Sequence, residues 1–580
     1  MRCGIKLRGV ENRATLRLAI ASVCWLAALN AAYGQRLASG TAPAELSTRI
    51  RAIAVAGRLS GMRWPDFSTY RVEVLQLYEG SGFAPLWLDG AAPTRQALTL
   101  IQAFEQSETK GLNPEDYDCG HWEARLRGLH SAPSVGAMAR FDVALTVSAM
   151  RYVSDLHSGR IKPVGLNFEI DGQSQRYDLV RFLSQKLIHA VDVRAALAGI
   201  EPQYEGYRRT ELALDRYLAL ARRGDGPRVP GVKKTVSPGE KYGGTAQLAQ
   251  RLELLGDMPA SALAEPMQGQ YAGALVAAVE RFQARHGLTV DGKLGQQTIR
   301  ALNVPLATRV RQLADALERW RWLPESFPNP PIVVNIPEFE LRAIGPNQRV
   351  VLAMKVVVGK AMRTQTPVFA AKMRYVVFRP YWNVPRSILR KEIIPDIVRN
   401  RSYLASHGFE VTDRTGRVVT SGPISDAVLS SLRSGEFEVR QKPGAKNSLG
   451  LVKFLFPNEH DVYLHDTPAT QLFARSRRDF SHGCIRVQKP AELAAWLLRN
   501  QKTEQGKPWT LETVRAAMES GPDNQRVTLA VPVPVLILYD TAVVEEDGSV
   551  HFFEDIYGYD HVLEAKLAQG RPYPRIPAFR

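Results

Sequence analysis

The residues best suited to chemistry cluster in the segment 481–487, which reads Ser-His-Gly-Cys-Ile-Arg-Val. Its cysteine, Cys484, is one of four in 580 residues. A cysteine in this position can be a buried small residue, a metal ligand or a nucleophile. A thiol becomes a strong nucleophile as the thiolate, and a neighbouring imidazole is the usual means of forming it at neutral pH. A histidine near this segment is therefore the expected base.

Three histidines are candidates for the base: His460, His465 and His482. His482 is two residues from Cys484 and would point to the same side of an extended chain, although Gly483 allows the backbone to bend. His465 follows the strand-like run Asp-Val-Tyr-Leu, which could pair with the run Cys-Ile-Arg-Val. Spacing alone leaves the choice among the three histidines open.

Gly483 has a second predicted role, because a residue without Cβ lets the N–H groups of Gly483 and Cys484 point at one position. A developing oxyanion requires such donors. A thiol, a base and two oxyanion donors together constitute an acyl-transfer site.

The first 34 residues read as an export signal. A basic start precedes an apolar run of 12 residues, 18–29, and small residues follow, with Ala32 and Gly34 placed for cleavage before Gln35. The run is short for a membrane span of roughly 20 residues, which favours a cleaved signal. A retained membrane anchor is the alternative, and in both cases we expect the bulk of the chain in the periplasm or cell envelope.

An exported chain without the leader would keep two cysteines, because only Cys119 and Cys484 follow residue 34. A bridge between them and two free thiols both stay open. The net charge is +17, and it becomes +13 without the leader, which carries five Arg or Lys and one Glu. Such a charge favours anionic partners such as cell-wall polymers. Nucleic acid is not expected, because the basic residues lack the aromatic interleaving of single-strand grooves.

The elements that must position these residues fall into several domains, as expected for this length. Helical periodicity dominates first, a Gly/Pro-rich linker and a three-helix module follow, and short Val/Ile-rich runs then predict a β-rich domain. The predicted boundaries are a helical scaffold domain at 45–225, a linker at 226–244, the module at 245–305, a connecting helix at 306–329, the β-rich domain at 330–560 with a lid-like insertion at about 393–447, and a basic tail at 561–580.

The three-helix module resembles the peptidoglycan-binding domain 1 family. The matching residues are Phe282, Gln283, Gly287, Leu288, Asp291, Gly292, Gly295, Thr298, Ala301 and Leu302. Most of these are core and turn residues, so the resemblance implies a wall-associated protein without locating a binding groove.

The β-rich domain resembles the L,D-transpeptidase catalytic domain family, in which a His precedes Ser/Thr-His-Gly-Cys. Here His465 lies 19 residues before Cys484. Further matches to the large multidomain members are the blocks at 381–388, 447–458 and 463–468. The earlier helical region, with Leu-Trp-Leu-Asp-Gly and Ser-Asp-Leu-His-Ser-Gly-Arg, resembles their scaffold domain. The resemblance implies a multidomain fold of helical scaffold, three-helix peptidoglycan-binding module and mixed α/β catalytic domain.

Carried onto this chain, the resemblance implies that Cys484 is the nucleophile and His465 the base. We expect the carbonyl of Asp466 to orient His465, with its carboxylate as the alternative, and His482 to support the cysteine loop. The remaining residues are implied to bind substrate, and they are Arg486, Ser481, Tyr463, Trp382 and Asn383.

The implied reaction forms 3→3 cross-links between diaminopimelate residues of peptidoglycan stem peptides through a cysteine thioester. It requires no cofactor or metal, and peptidoglycan synthases are expected partners because they supply strands. Relatives in the family also exchange D-amino acids, trim tetrapeptides or attach a lipoprotein.

Two rival hypotheses remain. A zinc hydrolase would use His460, His465, His482 and Cys484, although no HExxH or paired-cysteine spacing is present. A non-catalytic wall-binding protein would need only the helical domains.

Overall fold

The computed structural model describes residues 42–170, 177–259, 269–362 and 364–573. The predicted leader, residues 1–34, lies outside this part of the chain. Among the described helices, none combines the length and the hydropathy that a membrane span requires. The described residues form two compact units: the first holds residues up to 105 with 115–152 and 178–196, and the second holds the rest.

The first unit is helical, as the periodicity predicts. Phe141 lies in a long helix that ends at Ser158, before Gly159. The elements up to residue 198 are α1 Ala42–Ala56, α2 Arg71–Gly80, β1 Leu88–Asp89, β2 Ala92–Pro93, α3 Arg95–Glu105, α4 Cys119–Ser131, α5 Val135–Ser158, α6 Leu179–Phe182 and α7 Val193–Ala198. Residues of α5 from Val153 and the last residues of α7 belong to the second unit.

The second unit begins with the helical part that contains the three-helix module. Its helices are α8 Glu205–Arg223, α9 Thr245–Leu254, α10 Ala274–Arg285, α11 Gln296–Leu302 and α12 Leu306–Trp320. The module is thus α9 to α11, and α12 is the predicted connecting helix. One apolar core joins α8, the module and α12 to a hairpin from the C-terminal region. The predicted scaffold domain extends to 225, whereas α8 packs in this second unit.

The catalytic region is built on a nine-stranded sheet. The strands lie in the order β13-β5-β14-β12-β11-β6-β15-β3-β4, and β4 also pairs with β5, so the sheet closes on itself. Their bounds are β3 Ile332–Asn335, β4 Glu340–Ile344, β5 Val350–Gly359, β6 Phe369–Phe378, β11 Val452–Leu455, β12 Leu464–His465, β13 Asp479–Ser481, β14 Ile485–Val487 and β15 Gln525–Leu538. Two helices, α17 Pro490–Leu498 and α18 Leu511–Ser520, contribute to its core.

The insertion has a sheet and an apolar core of its own. Its elements are β7 Trp382–Asn383, α13 Arg386–Ile388, α14 Ile394–Arg399, α15 Tyr403–Ser406, β8 Phe409–Thr412, β9 Val418–Thr420, α16 Asp426–Ser434 and β10 Glu438–Gln441. It begins at β7, about ten residues before the predicted boundary of 393, because β7 pairs with β10.

The chain then forms a hairpin, β16 Ala542–Val544 and β17 Val550–Phe552. A last helix, α19 Tyr559–Ala568, occupies much of the segment predicted as a basic tail. Leu563 of this helix is fully buried in the core of the sheet. The segment therefore packs as part of the fold up to residue 568.

Candidate active site

The strand that carries the candidate base lies beside the strand that directly follows the candidate nucleophile, Cys484. β12 and β14 pair in parallel, with His465 opposite Arg486 and Leu464 opposite Ile485. Leu464 and Ile485 are fully buried in the core. Because strand residues alternate between faces, His465, Arg486 and Cys484 share the other face of the sheet. The predicted pairing of these two segments is confirmed.

His465 is held by its own backbone neighbour. Its Nδ1 lies 2.5 Å from the carbonyl oxygen of Asp466. The carboxylate of Asp466 has other partners, since it accepts the N–H groups of Leu451 at 2.8 Å and Thr467 at 2.7 Å. The carbonyl, rather than the carboxylate, therefore contacts the imidazole. An Nδ1–H donated to this oxygen leaves Nε2 as the acceptor atom.

Burial and two cations keep His465 neutral. The side chain is 4% exposed. Burial, with the charges of Arg486 and Lys453, lowers its pKa to about 3, while the bond to the Asp466 carbonyl acts in the opposite direction. A neutral imidazole at neutral pH is the form that accepts a proton.

The Cys484 thiol rests protonated. Its Sγ contacts the carbonyl oxygen of Asp461 at 3.6 Å. Burial raises the pKa of the thiol, whereas hydrogen bonds from Tyr463 and the charge of Arg486 act to lower it. Burial also raises the pKa of Tyr463, so its hydroxyl remains a donor. The pair is a neutral thiol and a neutral imidazole, which suits removal of the thiol proton by a general base during attack.

The loop before the thiol turns at Gly483. Its φ is +118°, a backbone conformation that favours glycine. Its N–H donates to Ser481 Oγ at 3.2 Å, and that hydroxyl donates to the Cys484 carbonyl at 2.5 Å. In this conformation the Gly483 N–H is engaged by Ser481, and its use as an oxyanion donor stays a prediction. Ser481 braces the loop through these bonds.

His482 is held by a contact with the insertion. Its Nε2 lies 2.7 Å from a carboxylate oxygen of Glu392, in the insertion. His460 contacts Glu169 at 3.0 Å instead. The four residues of the rival zinc site are therefore not brought together. Over the described parts of the chain, the one group with metal-ligand spacing is Glu338, Glu545 and His551, in which Arg342 pairs with both carboxylates.

The insertion reaches the site through β7. Trp382 acts on the side chain of Tyr463 and lowers its pKa, whereas the Cys484 sulfur acts on the same side chain and raises it. Asn383 is exposed and lies opposite Arg440 of β10. Trp382 is thus linked to the thiol through Tyr463, and Asn383 belongs to the edge of the insertion's sheet.

Two residues of the site were not predicted. Lys453 lies opposite His465 in the antiparallel pair of β11 and β12, and Glu392 holds His482. A signal for Lys453 was available, because it is the charged residue of an otherwise apolar run, Leu-Val-Lys-Phe-Leu-Phe. No comparable signal marks Glu392, since a charge in a polar insertion is ordinarily solvated.

Comparison with known families gives three matches. The L,D-transpeptidase catalytic domain matches residues 330–515, which contain His465 and Cys484 in the geometry described above. This part of the chain is similar to L,D-transpeptidase catalytic domains. The Scaffold domain matches 72–214, and a peptidoglycan-binding domain matches 243–302. The predicted resemblance and the multidomain fold class are confirmed.

Individual relatives agree with the L,D-transpeptidase domain. A Haemophilus influenzae protein, provisionally named an L,D-transpeptidase, is 32% identical over 281 residues, which is 48% of this chain and 54% of that protein. The chain thus spans about half the length of this curated relative. A crystal structure of an L,D-transpeptidase from Stackebrandtia nassauensis is 12% identical, covering 54% of this chain and 96% of that one, with a TM-score of 0.21. A TM-score this low supports no argument about the fold.

Proposed function

We propose that this protein is a peptidoglycan L,D-transpeptidase that forms 3→3 cross-links through a thioester on Cys484. The observation that carries the proposal is the parallel pairing of β12 and β14, which brings His465 and Cys484 to one face of the sheet. The L,D-transpeptidase and peptidoglycan-binding domain matches support the substrate class.

The first half-reaction is acylation. His465 Nε2 accepts the thiol proton as Cys484 Sγ attacks the carbonyl at the L-centre of diaminopimelate in a tetrapeptide stem. The amide bond to D-alanine breaks, the proton passes to the departing amine, and a thioester remains. The hydroxyl of Tyr463 donates to the sulfur and supports its anionic character during attack.

The second half-reaction transfers the acyl group. The amine at the D-centre of another stem's diaminopimelate attacks the thioester, and His465 removes a proton from that amine. The amide bond forms, and the proton returns to the Cys484 thiolate as it leaves. One amide is broken and one is formed, so the reaction needs no external energy source or cofactor.

Mass spectrometry of muropeptides tests two parts of the proposal, that Cys484 is the nucleophile and that the product is a 3→3 dimer. Tetrapeptide muropeptides are incubated with the wild type, with Cys484→Ala and with Cys119→Ala as the matched control. Cys119 is a suitable control because burial raises the pKa of its thiol to about 12. We expect 3→3 dimers from the wild type and Cys119→Ala, and none from Cys484→Ala.

The products also separate the alternatives within the family. Tripeptides without dimers would indicate trimming, and tetrapeptides with an exchanged fourth residue would indicate D-amino-acid exchange. Persistence of dimers in Cys484→Ala would overturn the nucleophile. Loss of activity with a chelator but not with a thiol reagent would overturn the cysteine mechanism in favour of a metal hydrolase.

A further inference from the structure

The candidate base lies between two cations. In the sheet, Lys453 of β11 is opposite His465 on one side, and Arg486 of β14 is opposite His465 on the other. Directly opposite residues of paired strands project from the same face. Both charges act on the imidazole, since each lowers the pKa of His465. The three side chains therefore share one small region of the sheet surface.

Neither cation has an acidic partner in the part of the chain that the structure describes. Burial lowers the pKa of Lys453 and of Arg486, and no carboxylate contributes to either shift. The Lys453 ammonium reaches the carbonyl oxygen of Tyr381 at a long 3.5 Å. The Nε of Arg486 is buried and has no hydrogen-bond partner among the described residues. Asp466 does not compensate them, because its carboxylate is engaged by Leu451 and Thr467.

Two half-buried cations without a counter-ion are costly, and proteins ordinarily pair such charges. A compensating anion must therefore come from the ligand. Carboxylates suit this pair well, because a guanidinium binds them in a planar geometry and an ammonium adds a point charge. The donor of the proposed reaction carries two candidate carboxylates: that of the leaving D-alanine, next to the scissile amide, and that of the D-centre, at the end of the diaminopimelate side chain.

We propose that Lys453 and Arg486 form a two-cation subsite that selects acyl donors by a free carboxylate, either that of the leaving D-alanine or that of the D-centre of diaminopimelate. This inference rests on the proposed function, since it names the donor chemistry of that same site. Arg486 is the residue whose substrate role the sequence implies, and Lys453 is the new specificity residue. An occupied subsite also offsets the two charges that face His465.

The test compares three tetrapeptide donors: the natural one, one with the D-alanine carboxylate converted to an amide, and one with the D-centre carboxylate converted to an amide. Each is assayed with the wild type, Lys453→Met and Arg486→Met. Lys507→Met is the matched control, because Lys507 is exposed in the same domain. For the wild type we expect amidation of the recognised carboxylate to lower kcat/KM roughly tenfold to a hundredfold.

In Lys453→Met and Arg486→Met that penalty should largely disappear, whereas Lys507→Met should retain it. The donor that shows the effect identifies which carboxylate occupies the subsite. An equal penalty in the wild type and in Lys453→Met would overturn the proposal. Binding of the same donors to Cys484→Ala, measured by calorimetry, keeps this test independent of the proposed chemistry, because the carboxylate preference must persist there without turnover.

The pKa of His465 provides a second measurement, which distinguishes an electrostatic role of Lys453 from a purely structural one. The groups that face His465 are Lys453, Arg486, the Tyr463 ring and the Asp466 carbonyl. Removing the Lys453 charge should raise the pKa of His465, which moves the acid limb of kcat/KM to higher pH. NMR titration of the imidazole in Lys453→Met, against Lys507→Met, measures this shift. An unchanged imidazole in a folded Lys453→Met protein would contradict the arrangement.

Discussion

At the scale of single residues, the chemistry depends on how each group is protonated. A half-buried thiol and a buried imidazole both resist charge, so the resting pair is neutral. Tyr463 acts against burial at the sulfur, because the interaction of its side chain with Cys484 lowers the pKa of the thiol. The sequence indicated Tyr463 as a substrate contact, and the hydrogen bond to the thiol could not be read from spacing because it depends on strand register.

Removing the Tyr463 hydroxyl should make the thiol less reactive. In Tyr463→Phe the pKa of Cys484 rises, because a hydrogen bond that favours the thiolate is lost. Alkylation of Cys484 by iodoacetamide near neutral pH should slow roughly tenfold, and the difference should shrink at high pH. Peptide mapping gives the rate at Cys484 separately from Cys119. Tyr403→Phe, in the insertion, is the matched control, and equal rates in both variants would contradict the bond.

The neutral state of His465 should also appear in the pH dependence of stability. The pKa of His465 is about 3 in the folded protein, against about 6.5 in an unfolded chain. Because the pKa is lower in the folded protein, the neutral imidazole contributes fully to the free energy of unfolding above pH 6.5. This contribution is lost as the pH falls. Between pH 7 and pH 5 the loss amounts to about 2 kcal/mol from this residue.

Urea unfolding of His465→Gln should accordingly show a smaller loss of stability over that range than the wild type. His561→Gln provides the control, since His561 is exposed on α19. If His465→Gln and the wild type lost the same free energy of unfolding from pH 7 to pH 5, the imidazole would not be held neutral by the fold.

At the scale of elements, the site depends on turns that present short strands. The bend at Gly450, before β11, brings the chain against Asp466, and a Cβ built on Gly450 would lie 2.3 Å from the Asp466 side chain. Gly450 also has a φ of +62°. The bond from Leu451 to the Asp466 carboxylate spans this contact. The turn therefore fixes the residue whose carbonyl holds His465.

Gly450→Ala should destabilise the protein and disturb the base together. Gly416→Ala is the matched control, because Gly416 has a φ of +84° but no atom within 4 Å of its added Cβ. The control should cost about 1 kcal/mol from backbone strain alone, whereas Gly450→Ala adds the clash and should cost more and lower kcat/KM. Thermal melting with a muropeptide assay measures both effects, and equal costs would show that the contact is tolerated.

The same scale explains what the sequence could and could not predict. The strand that follows Cys484 and the strand carrying His465 were predictable from apolar runs and motif spacing. The direction of His482 was not, because Gly483 turns the chain and Glu392 comes from an insertion 90 residues earlier. The insertion boundary was placed too late for a related reason, since β7 joins it through pairing with β10. Long-range pairing leaves little trace in local composition.

At the scale of the whole second unit, the peptidoglycan-binding module does not have a core to itself. Phe282 of α10 belongs to the same apolar core as Leu214 of α8 and Phe552 of β17. The Arg285 guanidinium donates to the Val550 carbonyl and pairs with Asp257 of the module. The sequence predicted a three-helix module, and it gave no sign of the shared core because the hairpin lies some 250 residues later in the chain.

Truncating the Phe552 side chain should therefore destabilise the peptidoglycan-binding module, although Phe552 lies outside it in the sequence. Phe552 is 1% exposed, and its ring contacts Tyr217 and His286. Phe552→Ala should cost about 3–5 kcal/mol and raise amide hydrogen exchange in α10, with weaker retention on insoluble peptidoglycan. Leu404→Ala is the control, since Leu404 is equally buried in the insertion's separate core. It should raise exchange in the insertion only, and unchanged exchange of α10 in Phe552→Ala would mean that the module folds independently.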